Sequence, residues 1–218
     1  MSDAMSDDGS ESATAGIHSR QAAWLLLTEY TQSPSLLKHA LAVESCMTAC
    51  GEAEAARLGW TGPAARNAIE RYRVTGLLHD FDYEKYPTPE EHPFVGNRIL
   101  AERGWPEEVR EAILGHARYS GVARKTHLAR ALFACDELAG FLTAVSLVKP
   151  SRSIFEVDVA GVRKKMKDKA FARAVSREDI VVGARELETD LDEHIGRCIA
   201  AMRRDAAALG LDGAGSGS

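Results

Sequence analysis

The chain has 218 residues, 45% hydrophobic and 27% charged, the balance of an ordinary globular protein. A chain of that length buries most of the surface its unfolded form exposes, so it needs no disulfide framework and is expected to form one domain. A net charge of −5 excludes a global electrostatic reason to bind nucleic acid or an anionic membrane, and no apolar stretch approaches 18 residues without a charge.

Residues 1–16 are mostly Ser, Asp, Gly, Ala and Glu, with almost nothing to bury, and are expected to form a disordered leader. His18 to Tyr30 places Ala22, Leu25, Leu26 and Tyr30 at helical spacing. Ser33-Pro34 then supplies a cap and a first-turn proline for a helix over Leu36 to Ala49, with Gly51 as its terminator. Ala64 to Leu78 forms a third helix that runs into His79-Asp80, and two prolines mark 82–89 as a loop. Further helices are expected over Glu90 to Arg103, stopped by Gly104, and over Pro106 to Ala117, whose first turn holds Glu107 and Glu108. Thr126 to Val148 is the most apolar segment, interrupted only by Arg130, Asp136 and Glu137, and reads as a buried core helix ended by Pro150. Val159 to Ala174, Ser176 to Thr189 and Asp190 to Leu209 complete the helices. Ser176 and Asp179 resemble a capping box. Residues 210–218 are Gly/Ser-rich and are expected to be a flexible tail. With no alternating run and no fixed repeat, the fold class is all-α: one compact helical domain over 17–209, with a motif core at 36–147 and C-terminal helices at 159–209.

None of the four cysteines, Cys46, Cys50, Cys135 and Cys198, forms a C-x-x-C pair. Free thiols without a framework point to a reducing, cytoplasmic compartment, and to cysteines serving as small buried apolar residues.

Five segments carry metal-type ligands: His39 in K-H-A-L-A-V-E, His79 and Asp80 in L-L-H-D-F-D, His92 in E-E-H-P-F-V-G, His116 in I-L-G-H-A-R and Asp136 in A-C-D-E-L-A-G. A lone helical histidine is usually a capping or partly buried residue. Asp136 carries more weight, because a carboxylate among Phe133, Ala134, Cys135 and Leu138 is costly unless it is paired or holds a cation; a hydrogen bond to a helix end is its plainer explanation. His79 and Asp80 close a helix end made apolar by Val74, Leu77 and Leu78. Imidazole and carboxylate together suit Fe, Mn, Co, Ni or Zn better than Ca.

The ordered set H…HD…H…H…D resembles the HD superfamily of metal-dependent phosphohydrolases over roughly Leu36 to Leu147. The E-H-P segment and the helix after it resemble the HDIG subgroup. The resemblance implies a helical bundle in which His39, His79, Asp80 and Asp136 hold one metal. Asp80 would then bridge to a second ion held by His92 and His116. It also implies a small anionic phosphorylated substrate, such as a nucleotide or another metabolite, hydrolysed by a metal-activated water. A few HD-type proteins instead use a mixed-valence di-iron centre as an oxygenase, and a non-catalytic ligand-binding or scaffold protein is the third alternative. The chain departs from the subgroup at H-D-F-D-Y-E-K, where H-D-I-G is expected. Lys85 is displaced, and Asp82 and Glu84 are added.

Two cations about 3.5–4 Å apart can hold a hydroxide and clamp a phosphoryl oxygen. The phosphate then needs positive partners, for which Lys85, Arg118 and Arg124 are candidates, and Asp82 could relay a proton from the water; each could equally be a surface charge. Arg163, Lys164, Lys165, Lys167, Lys169, Arg173 and Arg177, against Asp168, form a basic run. It reads either as a solvated face or as a cationic rim for an anionic substrate; a nucleic-acid groove is disfavoured, since only Phe171 is interleaved. Tyr83, Tyr86 and Tyr119 flank the motif histidines and could line a pocket. His127 is expected to cap the long helix, His194 to sit on an exposed helix start, and His18 to border the leader; none is assigned to metal. The apolar C-terminal helices could support a homodimer.

Overall fold

The computed structural model describes residues 18–213. The predicted leader lies outside them, as do the last five residues of the predicted tail. Ten α-helices and no strand are found among the described residues: α1 Arg20–Tyr30, α2 Pro34–Arg57, α3 Gly62–Leu78, α4 Phe94–Glu102, α5 Glu107–His116, α6 His127–Leu147, α7 Val159–Met166, α8 Arg177–Glu186, α9 Leu191–Arg204 and α10 Ala206–Leu209. The fold is all-α, as composition and periodicity require. No described helix is long and apolar enough to cross a membrane.

Helix starts follow local chemistry. Ser19 Oγ accepts the Ala22 N–H, Thr126 Oγ1 accepts that of Ala129, and Ser176 Oγ accepts that of Asp179. Each satisfies a donor that the first turn leaves open. Thr126 is therefore the cap of α6. His127 instead shares a 2.8 Å hydrogen bond with the Tyr72 hydroxyl, in place of the capping role expected for it.

Several boundaries differ from the sequence expectation, each for a tertiary reason. Helix α2 runs straight through Gly51 to Arg57. A Cβ at Gly51 would lie 3.0 Å from Tyr72 Cβ, and one at Gly76 would lie 2.9 Å from Met47 Cγ. These glycines let α2 and α3 approach closely rather than end a helix. Helix α4 begins only at Phe94, because Pro93 disfavours helical backbone at His92. Helix α7 stops at Met166, and α8 starts at Arg177. Between them the Arg177 guanidinium donates to the carbonyls of Phe171, Ala172 and Val175 and lies 4.8 Å from the Phe141 ring centroid. One member of the basic run is thus a structural clamp. The last helix divides at Asp205, which accepts a 2.6 Å hydrogen bond from the Ser45 hydroxyl. Leu211, within the predicted tail, is buried, and its carbonyl accepts the Ile154 N–H at 2.9 Å.

The apolar helix α6 sits at the centre, packed by α2, α5, α8 and α9. Its Leu128, Leu132, Leu138, Phe141 and Leu142 are fully buried in one core that extends from Ala23 in α1 to Leu211. Gly183 makes the α8 contact possible, since a Cβ there would lie 2.6 Å from Ala134 Cα, a backbone atom that cannot turn aside. Gly183→Ala is expected to destabilise the fold by about 1–3 kcal/mol through overpacking. A thermal melt unchanged from wild type would show that α8 and α6 are not in contact as described.

Candidate metal centre

Five elements converge on one point at the end of α3. The apolar face of α3 buries Val74, Leu77 and Leu78, and Phe81 is buried just beyond, so the polar pair between them is carried inward. His79 is 0% exposed. Its Nδ1 lies 2.8 Å from the Gly76 carbonyl, which assigns the proton to Nδ1 and leaves the Nε2 lone pair pointing into the cluster. His39 comes from the second turn of α2, Asp136 from the middle of α6, His92 from the turn before α4, and His116 from the last residue of α5. His116 Nδ1 is likewise engaged by the Ile113 carbonyl.

The distances divide the six side chains into two groups that share Asp80. On one side, His39 Nε2 lies 3.0 Å from Asp136 Oδ1 and 3.2 Å from His79 Nε2. His79 Nε2 is 3.5 Å from Asp136 Oδ1 and 3.3 Å from Asp80 Oδ2. On the other side, His92 Nε2 and His116 Nε2 each lie 3.2 Å from Asp80 Oδ1 and 3.4 Å from one another. The two oxygens of one carboxylate therefore face two different pairs of imidazoles. His39, His79 and Asp136 can hold one ion, and Asp80, His92 and His116 another.

The electrostatics fit a cation. Burial favours neutral imidazoles, but Asp80 and Asp136 outweigh it at His79, which is held well above the usual histidine range. Asp80 and Asp82 do the same at His92, which is pushed up to about 9. Burial likewise opposes ionisation of Asp80 and Asp136, yet the neighbouring imidazoles hold both carboxyls below the usual carboxylate range. Without a metal, protons take the place of the cation among these donors.

Four residues join this picture in ways the sequence alone did not indicate. Asp82 is 1% exposed and faces away from the cluster centre. Its Oδ1 lies 2.8 Å from His92 Nδ1, and its Oδ2 accepts the Gly96 N–H at 2.7 Å. It orients the His92 ring, a position different from the one beside the water at which a proton relay was expected of it. Gly96 is the second: a Cβ there would come within 2.6 Å of Asp82 Cγ, so only glycine lets α4 sit against that carboxylate. The third and fourth, Glu137 and Asp179, line the open side. With Asp80, Tyr83, His92, His116, Arg118, Tyr119 and Asp136 they border a cleft of about 340 Å³. Burial, reinforced by Asp136, pushes Glu137 up to about 7, and its carboxylate accepts the Ser176 N–H.

Of the three cations expected to meet substrate, the structure brings only Arg118 to this cleft, ion-paired with Glu178 and Asp179. Lys85 points elsewhere: its Nζ donates to the Glu29 carbonyl at 2.9 Å and lies 4.2 Å from the Tyr30 ring centroid. Its displacement from the pair in H-D-F-D-Y-E-K turns it onto α1. Arg124 is a brace. It grips Glu186 with two hydrogen bonds of 2.6 and 2.8 Å, donates to the Gly115 carbonyl, and stacks on Phe133, which secures the helix end carrying His116. Tyr83 packs edge-on against His92.

No curated protein and no solved structure gives a significant match to the chain. The family model described as the HD domain matches residues 36–140. All six converging side chains fall inside that span, over which the chain is similar to an HD domain.

Proposed function

We propose that this chain is an HD-type domain that hydrolyses a small phosphoester at a dinuclear centre of divalent transition-metal ions, the first held by His39, His79, Asp80 and Asp136 and the second by Asp80, His92 and His116. One observation carries the reading: the Asp80 carboxylate presents one oxygen to each histidine pair. Bound there, divalent ions would supply an activated water and hold phosphoryl oxygens. Asp80 is 23% exposed and Asp136 19%, so the centre opens to the cleft while its imidazoles stay covered.

The chain's own contribution is placement. Asp82, the Gly76 carbonyl and the Ile113 carbonyl aim three imidazoles. Arg118 offers a guanidinium to an anionic group that enters beside Asp179. Tyr83 and Tyr119, 40% and 53% exposed, flank the entrance and offer faces for a base or sugar. Glu137, raised to about 7 by burial and by Asp136, is a lining group that could give a proton to a leaving oxygen. The E-H-P segment at His92 supports an HDIG-type reading, against which the H-D-F-D sequence at 79–82 stands as a departure.

The test is phosphate release from a panel of phosphomonoesters and phosphodiesters by protein loaded in turn with Mn, Co, Ni, Zn and Fe. Release with a redox-inert ion supports hydrolysis; oxygen consumption by the iron form, without phosphate release, would overturn it. Arg118→Ala is expected to raise KM about 10-fold with a smaller change in kcat, since it removes a charged contact to substrate that persists through the reaction. An unchanged KM would remove Arg118 from the binding surface.

A further inference from the structure

All four cysteines of the chain meet at one place in the core, away from the cleft. Cys46 and Cys50 come from α2, one turn apart. Cys135 comes from α6, and Cys198 comes from α9, one turn after His194. Every one is a free, buried thiol. Cys50 Sγ lies 3.6 Å from Cys135 Sγ, Cys198 Sγ lies 3.9 Å from His194 Nε2, and the Cys46 thiol contacts Cys198. The donor atoms of Cys135, His194 and Cys198 all lie within 4.8 Å of one another.

His194 is the second observation. The neighbouring Asp190, Asp192 and Glu193 suggested an exposed helix start, but the side chain is 0% exposed. It shares the inward face of α9 with Ile195, Cys198, Ile199 and Met202. Its Nε2 lies 3.0 Å from the Ala134 carbonyl and its Nδ1 has no hydrogen-bond partner among the described residues. A fully buried imidazole with an unpaired nitrogen is a costly choice where leucine would pack.

We infer that Cys135, Cys198 and His194 form a second metal site that holds one thiophilic ion of the zinc type inside the helical core. Zinc–sulfur bonds of about 2.3 Å and zinc–nitrogen bonds of about 2.0 Å in a tetrahedral site put sulfur and nitrogen about 3.6 Å apart, so the 3.9 Å between Cys198 Sγ and His194 Nε2 needs little adjustment once Nε2 exchanges the Ala134 carbonyl for the ion. Two thiolates and a neutral imidazole neutralise a divalent ion, which removes the penalty of burying any of these charges alone. Two helices distant in sequence would be tied together at one point. Cys135 and Asp136 are consecutive on α6, and successive helical side chains point about 100° apart, so one helix serves two separate sites.

The test uses the full chain carrying His39→Ala, Asp80→Ala and His116→Ala, which takes ligands from both halves of the cleft centre and makes the outcome independent of the hydrolase reading. Protein produced with Co(II) is expected to retain one equivalent and to show sulfur-to-cobalt charge-transfer absorption, which imidazole and carboxylate ligands cannot produce. Equimolar Zn(II) should abolish the band. Adding Cys135→Ser and Cys198→Ser should reduce retained metal from one equivalent to none. Circular dichroism reports whether that variant folds; if it does not, the band in the parent protein decides by itself. A folded parent that retains no metal and releases four titratable thiols on unfolding would overturn the site. So would a charge-transfer band that survives both serine substitutions.

Discussion

Asp80→Ala is expected to abolish phosphate release and to lower the metal content of the cleft centre. In the proposed centre every other side chain would serve one ion, whereas the oxygens of Asp80 lie 3.2–3.3 Å from His92 and His116 on one side and His79 on the other. Altering a residue that merely orients a metal ligand typically costs about 10–100-fold in affinity or activity. Removing a shared ligand must cost more, so kcat/KM should fall by more than about 100-fold. His79 and His92 lose a carboxylate that stabilises their protonated forms, but the surrounding core is apolar and continuous, so the fold should survive and circular dichroism should match wild type. If folded Asp80→Ala kept both its metals and its activity, the bridging role would be untenable. Metal removal from wild type gives a parallel check. A ligand present at about 100 times its dissociation constant adds about 2.7 kcal/mol of stability, so chelation should lower Tm by more in wild type than in Asp80→Ala, the difference reporting the cleft centre.

The next largest effect is expected one layer outside the ligands. Asp82→Asn keeps the size of the side chain and removes the charge that faces His92 Nδ1 at 2.8 Å. Gly96→Ala leaves Asp82 in place chemically but drives a methyl into its carboxylate, 2.6 Å from Cγ. Both should weaken binding of the second ion by about 10–100-fold while leaving the His39–His79–Asp136 group intact. The readout is a titration of the two sites: one equivalent should bind as in wild type and the other more weakly. Equal weakening of both equivalents would show that Asp82 supports the whole fold rather than His92. If Gly96→Ala bound both ions like wild type, the contact between α4 and Asp82 would not constrain the ligand.

The converging cluster was legible in the sequence from two anomalies and one order. A carboxylate at 136 within a largely apolar helix and a polar doublet closing the apolar end of α3 are visible as conflicts between composition and position. The order of five such segments also carries information that none has alone. Asp82 was visible as a residue but not as a role: its nearness to the pair suggested a group beside the water, while the turn after α3 points it backward. Lys85 and Arg124 misled for a related reason. Sequence proximity to a ligand sets how far a side chain can reach, not which way it faces, and both cations found carbonyls and carboxylates on other elements.

Periodicity, capping residues and the ordered histidines and aspartates were enough by themselves to establish an all-helical chain, the approximate place of each long helix, and the residues able to hold metal. Those are local properties, carried by side-chain polarity and by backbone preferences within a turn or two. Only the tertiary structure decided that Gly51 and Gly76 are packing sites, that Arg177 ends the basic helix early, that Asp82 and Gly96 position His92, and that His194 turns inward to meet the cysteines. Each of these depends on what another helix places within a few ångströms, and that distance is a property of the folded packing which no stretch of neighbouring residues encodes.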